Sequence, residues 1–562
     1  MKNTWEGSFT EKVLYGRIVS NMAQALDKKD DWNKKEGGKI LDYPQEQELL
    51  DKHFEQLTSQ LGDLLEMYPL ITITKKPDET GKSAGENNME TFLSEIPNQK
   101  MSDLHDNLKQ NQLLQKVTDQ IIKNENLQIR LQKNGTSEDS PEILTLKAQC
   151  DLLYLFREEI LCGYKLIHTF KTIEQSEDKS SKEYKDLRNK LAISIGDFYD
   201  TIYGSVEAPF IKNALNTESG QKIIQAVKDK NPEFYGNIEA KLKPYIVEEE
   251  NQHFFQEKAD IQLYQPLIDV ILKQSKHFLP QEMVAFKKSE NEINQEEMGK
   301  YAQQILENIY ADEKYSDILS QDRWQVELTN RTSCSANQAT KKLEIPNKNY
   351  TKAQFLGSMC HEVFIHIVRN INGSKITNLP FFRDYLNFEE GLASTIQQIT
   401  EGKQEITFGG KQIKRLVIAL ASSGLSYQEV KKVLEINEDE VISSGSTVEE
   451  ELTRIYRGTA IPINEEVEDV EVNKAIYHKD KAYFQGSYKV YLMMKKYAET
   501  QDTSLKSAMD KVFNNIQICK FDALNIRHIK SLQQHFDWSE AEKTAYFNFL
   551  TGREEEQSEI KV

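Results

Sequence analysis

The chain reads as mainly α with a small β-sheet, an α+β fold, and three observations predict this. Apolar residues recur at helical spacing through most of the 562 residues. After Arg323 that spacing gives way to short alternating stretches, and it returns at Thr351. Mean hydropathy is −0.64 and no apolar run is long enough to cross a bilayer, so the apolar residues belong to cores and no membrane is expected.

The elements follow in order. In residues 1–100 a helical stretch, Glu48 to Met67, alternates with breaker-rich segments such as DDWNKKEGGK and KKPDETGKSAGENN, which predicts a polar N-terminal region. Residues 101–300 read as a helical lobe: LLQKVTDQIIKNENLQIRL and AQCDLLYLFREEILCGYKLI carry helical periodicity, broken at NGTSEDSP and near Pro232. Residues 301–551 form the next unit, and it begins with two expected strands, WQVELTN and ATKKLEIPN. A helix capped by Thr351 then carries FLGSMCHEVFIHIVRNI until Asn372-Gly373 stops it. Further helices are expected at Glu389 to Gln398, Lys411 to Ser422, Tyr427 to Leu434, Ala482 to Ala498 and Ser539 to Leu550, followed by a frayed tail at 552–562.

Composition narrows the function. The net charge of −18 argues against a nucleic-acid partner, because counterion release needs concentrated Lys and Arg; the strip from Lys411 to Arg415 reads as a solvated helix face. Five cysteines without a CxxC pair (Cys150, Cys162, Cys334, Cys360 and Cys519) disfavour a disulfide framework or a thiolate-bound zinc. The opening MKNTWEGSFTEK lacks an apolar export core, so a reducing cytoplasm is the expected compartment.

One stretch carries chemistry. MCHEVFIHIVRN sets two histidines and a glutamate in an apolar run, where unpaired imidazole or carboxylate costs about 2 kcal/mol or more to bury. A metal ion would pair them. His361 and His366 are five residues apart, about 140° on a regular α-helix, so joint ligation demands a local π-type turn. Glu362 then serves as the base that takes a proton from a metal-bound water. A third ligand is expected from NFEEGLAS, where Glu389 and Glu390 open a helix and Gly391 and Ala393 allow it to come close to the first; either carboxylate fits.

HEVFIHIVRNING followed by FEEGLAS resembles the H-E-x-x-x-H-x-x-R-x-x-N-G and E-E-G-L-A pattern of the family that contains the tubulin tyrosine carboxypeptidases and a bacterial domain with a "QEGLA" motif. RIYRG (Arg454 to Gly458), HKDKAYFQG (His478 to Gly486) and, upstream, IGDFYDTIYG (Ile195 to Gly204) extend the resemblance over roughly Leu187 to Leu550. It implies a gluzincin-like zinc metallopeptidase domain at 301–551, with Zn2+ on His361, His366 and Glu390 and Glu362 as general base. It also implies that Arg454, Arg457 and Lys479 clamp the free C-terminus of a protein or peptide substrate, with Asp480 orienting a cation and Tyr483 donating to the oxyanion. Phe364-Ile365 depart from the small pair that the family carries before its second histidine. Two other readings stand beside the carboxypeptidase: a dipeptidyl-peptidase III-like exopeptidase, which shares HExxxH and a Glu-Glu pair, and a helical interaction protein with a structural metal.

Overall fold

The computed structural model describes residues 113–138, scattered positions from 140 to 203, then 204–246, 256–456 and 476–559, excepting 321–322, 331–332, 338–340, 374, 376–381, 383–384, 410–411 and 444–446. The Glu48 to Met67 stretch lies outside the described residues, as does Arg457.

The protein is mainly helical with small sheets, as its periodicity predicts. In the N-terminal half the helices are α1 (Leu113–Lys133), α2 (Ala208–Leu215), α3 (Glu218–Lys230), α4 (Pro232–Leu242), α5 (Gln265–Ser275) and α6 (Gln295–Ala311). The break near Pro232 is a hand-over between two helices. Asn231 ends α3 and its side chain accepts from Phe234 N, capping α4, while Pro232 occupies a first-turn position that needs no N–H partner.

Short strands tie the halves together. β1 (Lys258–Asp260) pairs with β7 (Glu405–Thr407), and β2 (Glu292–Ile293) pairs with β6 (Tyr350–Thr351), both antiparallel. The predicted strands are β3 (Gln325–Thr329) and β5 (Lys342–Pro346), which pair in parallel; β4 (Ser335–Asn337), too short to show in the sequence, lies antiparallel on the other edge of β5.

After β6 come α7 (Lys352–Met359), a π-helical segment Cys360–Ile367, α8 (Val368–Asn372) and α9 (Leu386–Glu401). Then follow α10 (Gln412–Ser422), α11 (Tyr427–Ile436), α12 (Glu438–Ser443), α13 (Val448–Ile455), α14 (Asp480–Glu499), α15 (Thr503–Asn514), α16 (Ile526–Leu532) and α17 (Glu540–Glu559). Two expectations are corrected. α17 runs on to Glu559, because the Arg, Glu and Gln residues past Leu550 are good helix formers. Arg415 is not on a solvated face: it is buried, paired with Glu257, bonded to Phe408 O and stacked over Phe484. Its strip looked solvated only because the distant partner is invisible in sequence. Buried apolar residues from Ile121 to Leu550 form one connected cluster, and α9 lies at its centre, packed on α7, the π segment and α14. Among the described residues no helix is long and apolar enough to cross a membrane.

Candidate metal centre

Thr351 starts the histidine helix with a reciprocal cap: its hydroxyl accepts from Gln354 N at 3.2 Å, and Gln354 Oε1 accepts from Thr351 N at 2.9 Å. The helix changes pitch where the spacing demands it. Through Cys360–Ile367 it is π-helical, and Val368 N–H reaches back five residues to Val363 O. That widening brings His361 and His366 to one face, with ring centroids 5.0 Å apart at 68°. The bulky Phe364 does not prevent the turn; it is buried in the core, facing Phe278.

Two glycine contacts fix α9 in place. A Cβ on Gly357 would come within 2.6 Å of Glu401 Cγ, so α7 and α9 touch there. Gly391 was expected to allow approach to the histidine helix, but its closest neighbour is α14: a Cβ would sit 1.9 Å from the Gly486 carbonyl carbon, and one on Gly486 would sit 1.7 Å from Asn387 O. Side chains are excluded from this crossing, which is why glycine stands on both helices. Beside this crossing, Glu390 of α9 meets the histidines, and Tyr483 of α14 is near enough to Glu390 and Glu362 for their charges to act on it.

His361, His366 and Glu390 each offer one ligand atom, all within 4.8 Å of one another, and all three residues are buried. Glu390 Oε2 stands 3.8 Å from His361 Nε2 and 3.6 Å from His366 Nε2. Ligand atoms about 2.0–2.2 Å from a tetrahedral metal ion stand roughly 3.4 Å apart, and the two Glu390 separations are within about 0.4 Å of that spacing. Burial pushes His366 toward its neutral form, against the pull of Glu389 and Glu390, and neutral imidazole is the ligating state. His361 Nδ1 is buried with no hydrogen-bond partner among the described residues. This cluster can bind a metal ion.

The neighbouring carboxylate does something else. Glu389 Oε1 sits 2.8 Å from His366 Nδ1, Arg369 Nη1 donates to Glu389 Oε2 at 2.5 Å, and Lys520 Nζ is 3.1 Å from Glu389 Oε1. Burial alone would raise this carboxyl, but Lys520, Arg369 and His366 together hold it far below the usual carboxylate range. A charged Glu389 favours the tautomer in which His366 Nδ1 donates to it, and that tautomer leaves the Nε2 lone pair free on the side of Glu390. The adjacent glutamates thus divide the work that the sequence left open between them.

Glu362 lies at the edge of the trio, its Oε1 3.8 Å from His361 Nε2, and its Oε2 accepts from Ala336 N of β4 at 2.7 Å. Tyr483 is held strongly in its protonated form, first by burial and then by the charges of Glu390, Asp480 and Glu362. Asp480, buried at the start of α14, acts on that phenol. Lys479 Nζ is 3.7 Å from Glu390 Oε1 and 5.7 Å from the Tyr483 ring centre, against the trio itself. Arg454 lies on α13, and its side chain, like Arg457, falls outside the described residues. Of the nearby thiols, burial and the charge of Glu362 raise Cys334, and burial pushes Cys360 up to about 12.

Sequence reasoning missed Ala336, Lys520 and Gln517. Ala336 acts through its backbone N–H, and Lys520 and Gln517 lie in an apolar stretch, QICKF, about 150 residues beyond the histidines. A lysine buried with 1 % exposure marks such an anchor once the fold is known. No family model, curated protein or solved structure matches this chain.

Proposed function

We propose that the chain is a zinc-dependent carboxypeptidase that removes a residue from the free C-terminus of a protein or peptide, of the kind its motifs resemble, acting in the cytoplasm. One observation carries the reading: a buried His361–His366–Glu390 trio with the carboxylate of Glu362 beside it and a phenol, Tyr483, that the charges of Glu390, Asp480 and Glu362 help to keep protonated. A structural metal site has no use for the last two.

Zn2+ held by His361, His366 and Glu390 would polarise the scissile carbonyl and acidify a water. Glu362 would serve as general base toward an attacking water and then as acid toward the leaving amine; its bond from Ala336 N–H holds one oxygen and leaves the other, 3.8 Å from His361 Nε2, beside the trio. Tyr483 donates to the oxygen on which negative charge builds, a role that needs a phenol kept protonated. Glu389 and Arg369 keep the His366 ring from turning. Lys479, with Arg454 and Arg457 of the RIYRG block, receives the substrate carboxylate through charge-assisted bonds.

The test pairs peptides with free and amidated C-termini, read by mass spectrometry with zinc-loaded protein. Loss of one C-terminal residue from the acid, with at least tenfold slower attack on the amide, is expected, since each charge-assisted bond is worth about 1.5–3 kcal/mol. Equal cleavage of both, or dipeptides released from the amino end, would replace this reading with the dipeptidyl-peptidase alternative. Glu362→Gln should retain zinc and lose turnover; full activity in that variant would remove Glu362 from the chemistry.

A further inference from the structure

The five-residue histidine spacing works only if the helix stays π-helical between Cys360 and Ile367, and a π turn is a costly local register with little intrinsic stability. Something outside the helix must hold it. Behind the helix runs the segment from Gln517 to Phe521, and its backbone is fastened at alternate residues. Asn372 Nδ2 donates to Gln517 O at 2.8 Å, Arg369 Nε to Cys519 O at 2.9 Å and Arg369 Nη2 to Phe521 O at 2.9 Å. Lys520 Nζ reaches through to Glu389.

The Gln517 side chain points the other way along the same contact. Its Nε2 donates to the backbone oxygen of Phe364, midway between the two histidines, at 3.3 Å, in a buried setting. Val368 N–H bonds to Val363 O five residues back, and four-residue bonding resumes beyond it. Such a change of register passes over one carbonyl, here that of Phe364, and a buried carbonyl without a donor costs on the order of 1–3 kcal/mol. In a regular α-helix Val368 N–H would fill that oxygen instead, the turn would tighten, and His361 and His366 would separate around the axis.

We infer that Gln517 is a positioning residue for the metal centre: by donating to the Phe364 carbonyl it holds the helix in the π register that makes HExxxH a two-histidine site. It touches neither substrate nor metal. The metal side of this inference rests on the zinc reading above, whereas the backbone side does not.

The experiment uses the full chain, with Gln517→Leu removing the donor at similar volume and Gln517→Met as the unbranched version should the first fail to fold. Two quantities are read: zinc affinity by competition with a chromogenic chelator, and amide hydrogen exchange of the metal-free protein over Val363–Asn370. Expected are zinc binding 10–100-fold weaker, the usual effect of removing an outer support of a ligand, and exchange over that segment roughly tenfold faster. Wild-type affinity together with wild-type exchange in either variant would overturn the inference. Wild-type protein that binds no zinc would bring down the peptidase reading, and the exchange comparison would then judge Gln517 alone: unchanged protection defeats the inference, faster exchange upholds it.

Discussion

The helix that carries His361 and His366 has two unlike sides. On its rear, polar groups meet at ordinary bonding distances: Arg369 with Glu389 at 2.5 Å, Arg369 with Cys519 O and Phe521 O at 2.9 Å, and Asn372 with Gln517 O at 2.8 Å. On its front, the groups stand further apart, at 3.6 and 3.8 Å between Glu390 and the two imidazoles and 3.8 Å between His361 and the part-buried Glu362. The rear is finished by bonds within the protein; the front holds the cluster that could bind a metal ion. Outer supports that orient ligands before the metal arrives give that pattern.

The front is lost altogether if α9 and α14 cannot come together. Gly391→Ala places a methyl group against the Gly486 backbone at the crossing of α9 and α14, where no flexible side chain can yield. A loss of about 4 kcal/mol or more is expected, read as poor soluble yield or a large drop in denaturation midpoint. Wild-type stability in this variant would mean that the helices do not cross there.

The adjacent glutamates should respond differently to loss of charge. Glu389→Gln removes the charge that balances Arg369 and Lys520, both almost fully buried, and should destabilise the metal-free protein by about 3–5 kcal/mol in urea unfolding. Glu390→Gln faces the ion site and should cost metal-free stability far less while removing metal binding. Equal destabilisation by the two would erase the distinction between front and rear.

Metal itself should act only on the front. With zinc at about 100 times its Kd, the wild type should gain about 2.7 kcal/mol in unfolding free energy, and His361→Ala should gain almost none. An equal gain in both would place the ion elsewhere.

What could be read in the sequence follows the same division. The front was legible because its residues sit in short local motifs: His361, Glu362 and His366 on one helix, Glu389 and Glu390 on the next, and Lys479, Asp480 and Tyr483 at the start of α14. Even the π turn could be anticipated from the five-residue spacing. The rear was not legible, since Lys520 and Gln517 come from a short apolar stretch with no periodic signal, and backbone carbonyls, which accept most of its bonds, leave no trace in residue identity. Glycine gave half a message: Gly391 announced a close approach, but only the fold shows that its partner is Gly486. Strand β4 escaped notice because three residues are too few to alternate, although its Ala336 N–H holds Glu362.

The smallest effect lies where the rear segment ends. Asp522, just past Phe521, is buried with 2 % exposure and bonds Lys489 Nζ of α14 at 2.5 Å and Leu524 N at 2.9 Å. Burial alone would raise its pKa, yet Lys489, His528 and the Leu524 N–H together bring it below the usual value of an aspartate. The folded state therefore binds this proton less readily than the unfolded chain, so the contribution is fully present above about pH 4 and declines as pH falls below the unfolded value of about 3.9. At pH 7 Asp522→Asn should lose about 1–2 kcal/mol, because the amide keeps the shape but not the charge that faces Lys489. As pH drops below 4 the difference between variant and wild type should shrink, since the wild-type carboxyl becomes neutral as well. Urea unfolding of both proteins at pH 7, 5 and 3.5 measures it. A gap that stays constant, or widens toward acid, would show that Asp522 contributes through shape or hydrogen bonding and that its charge does not fasten the segment to α14.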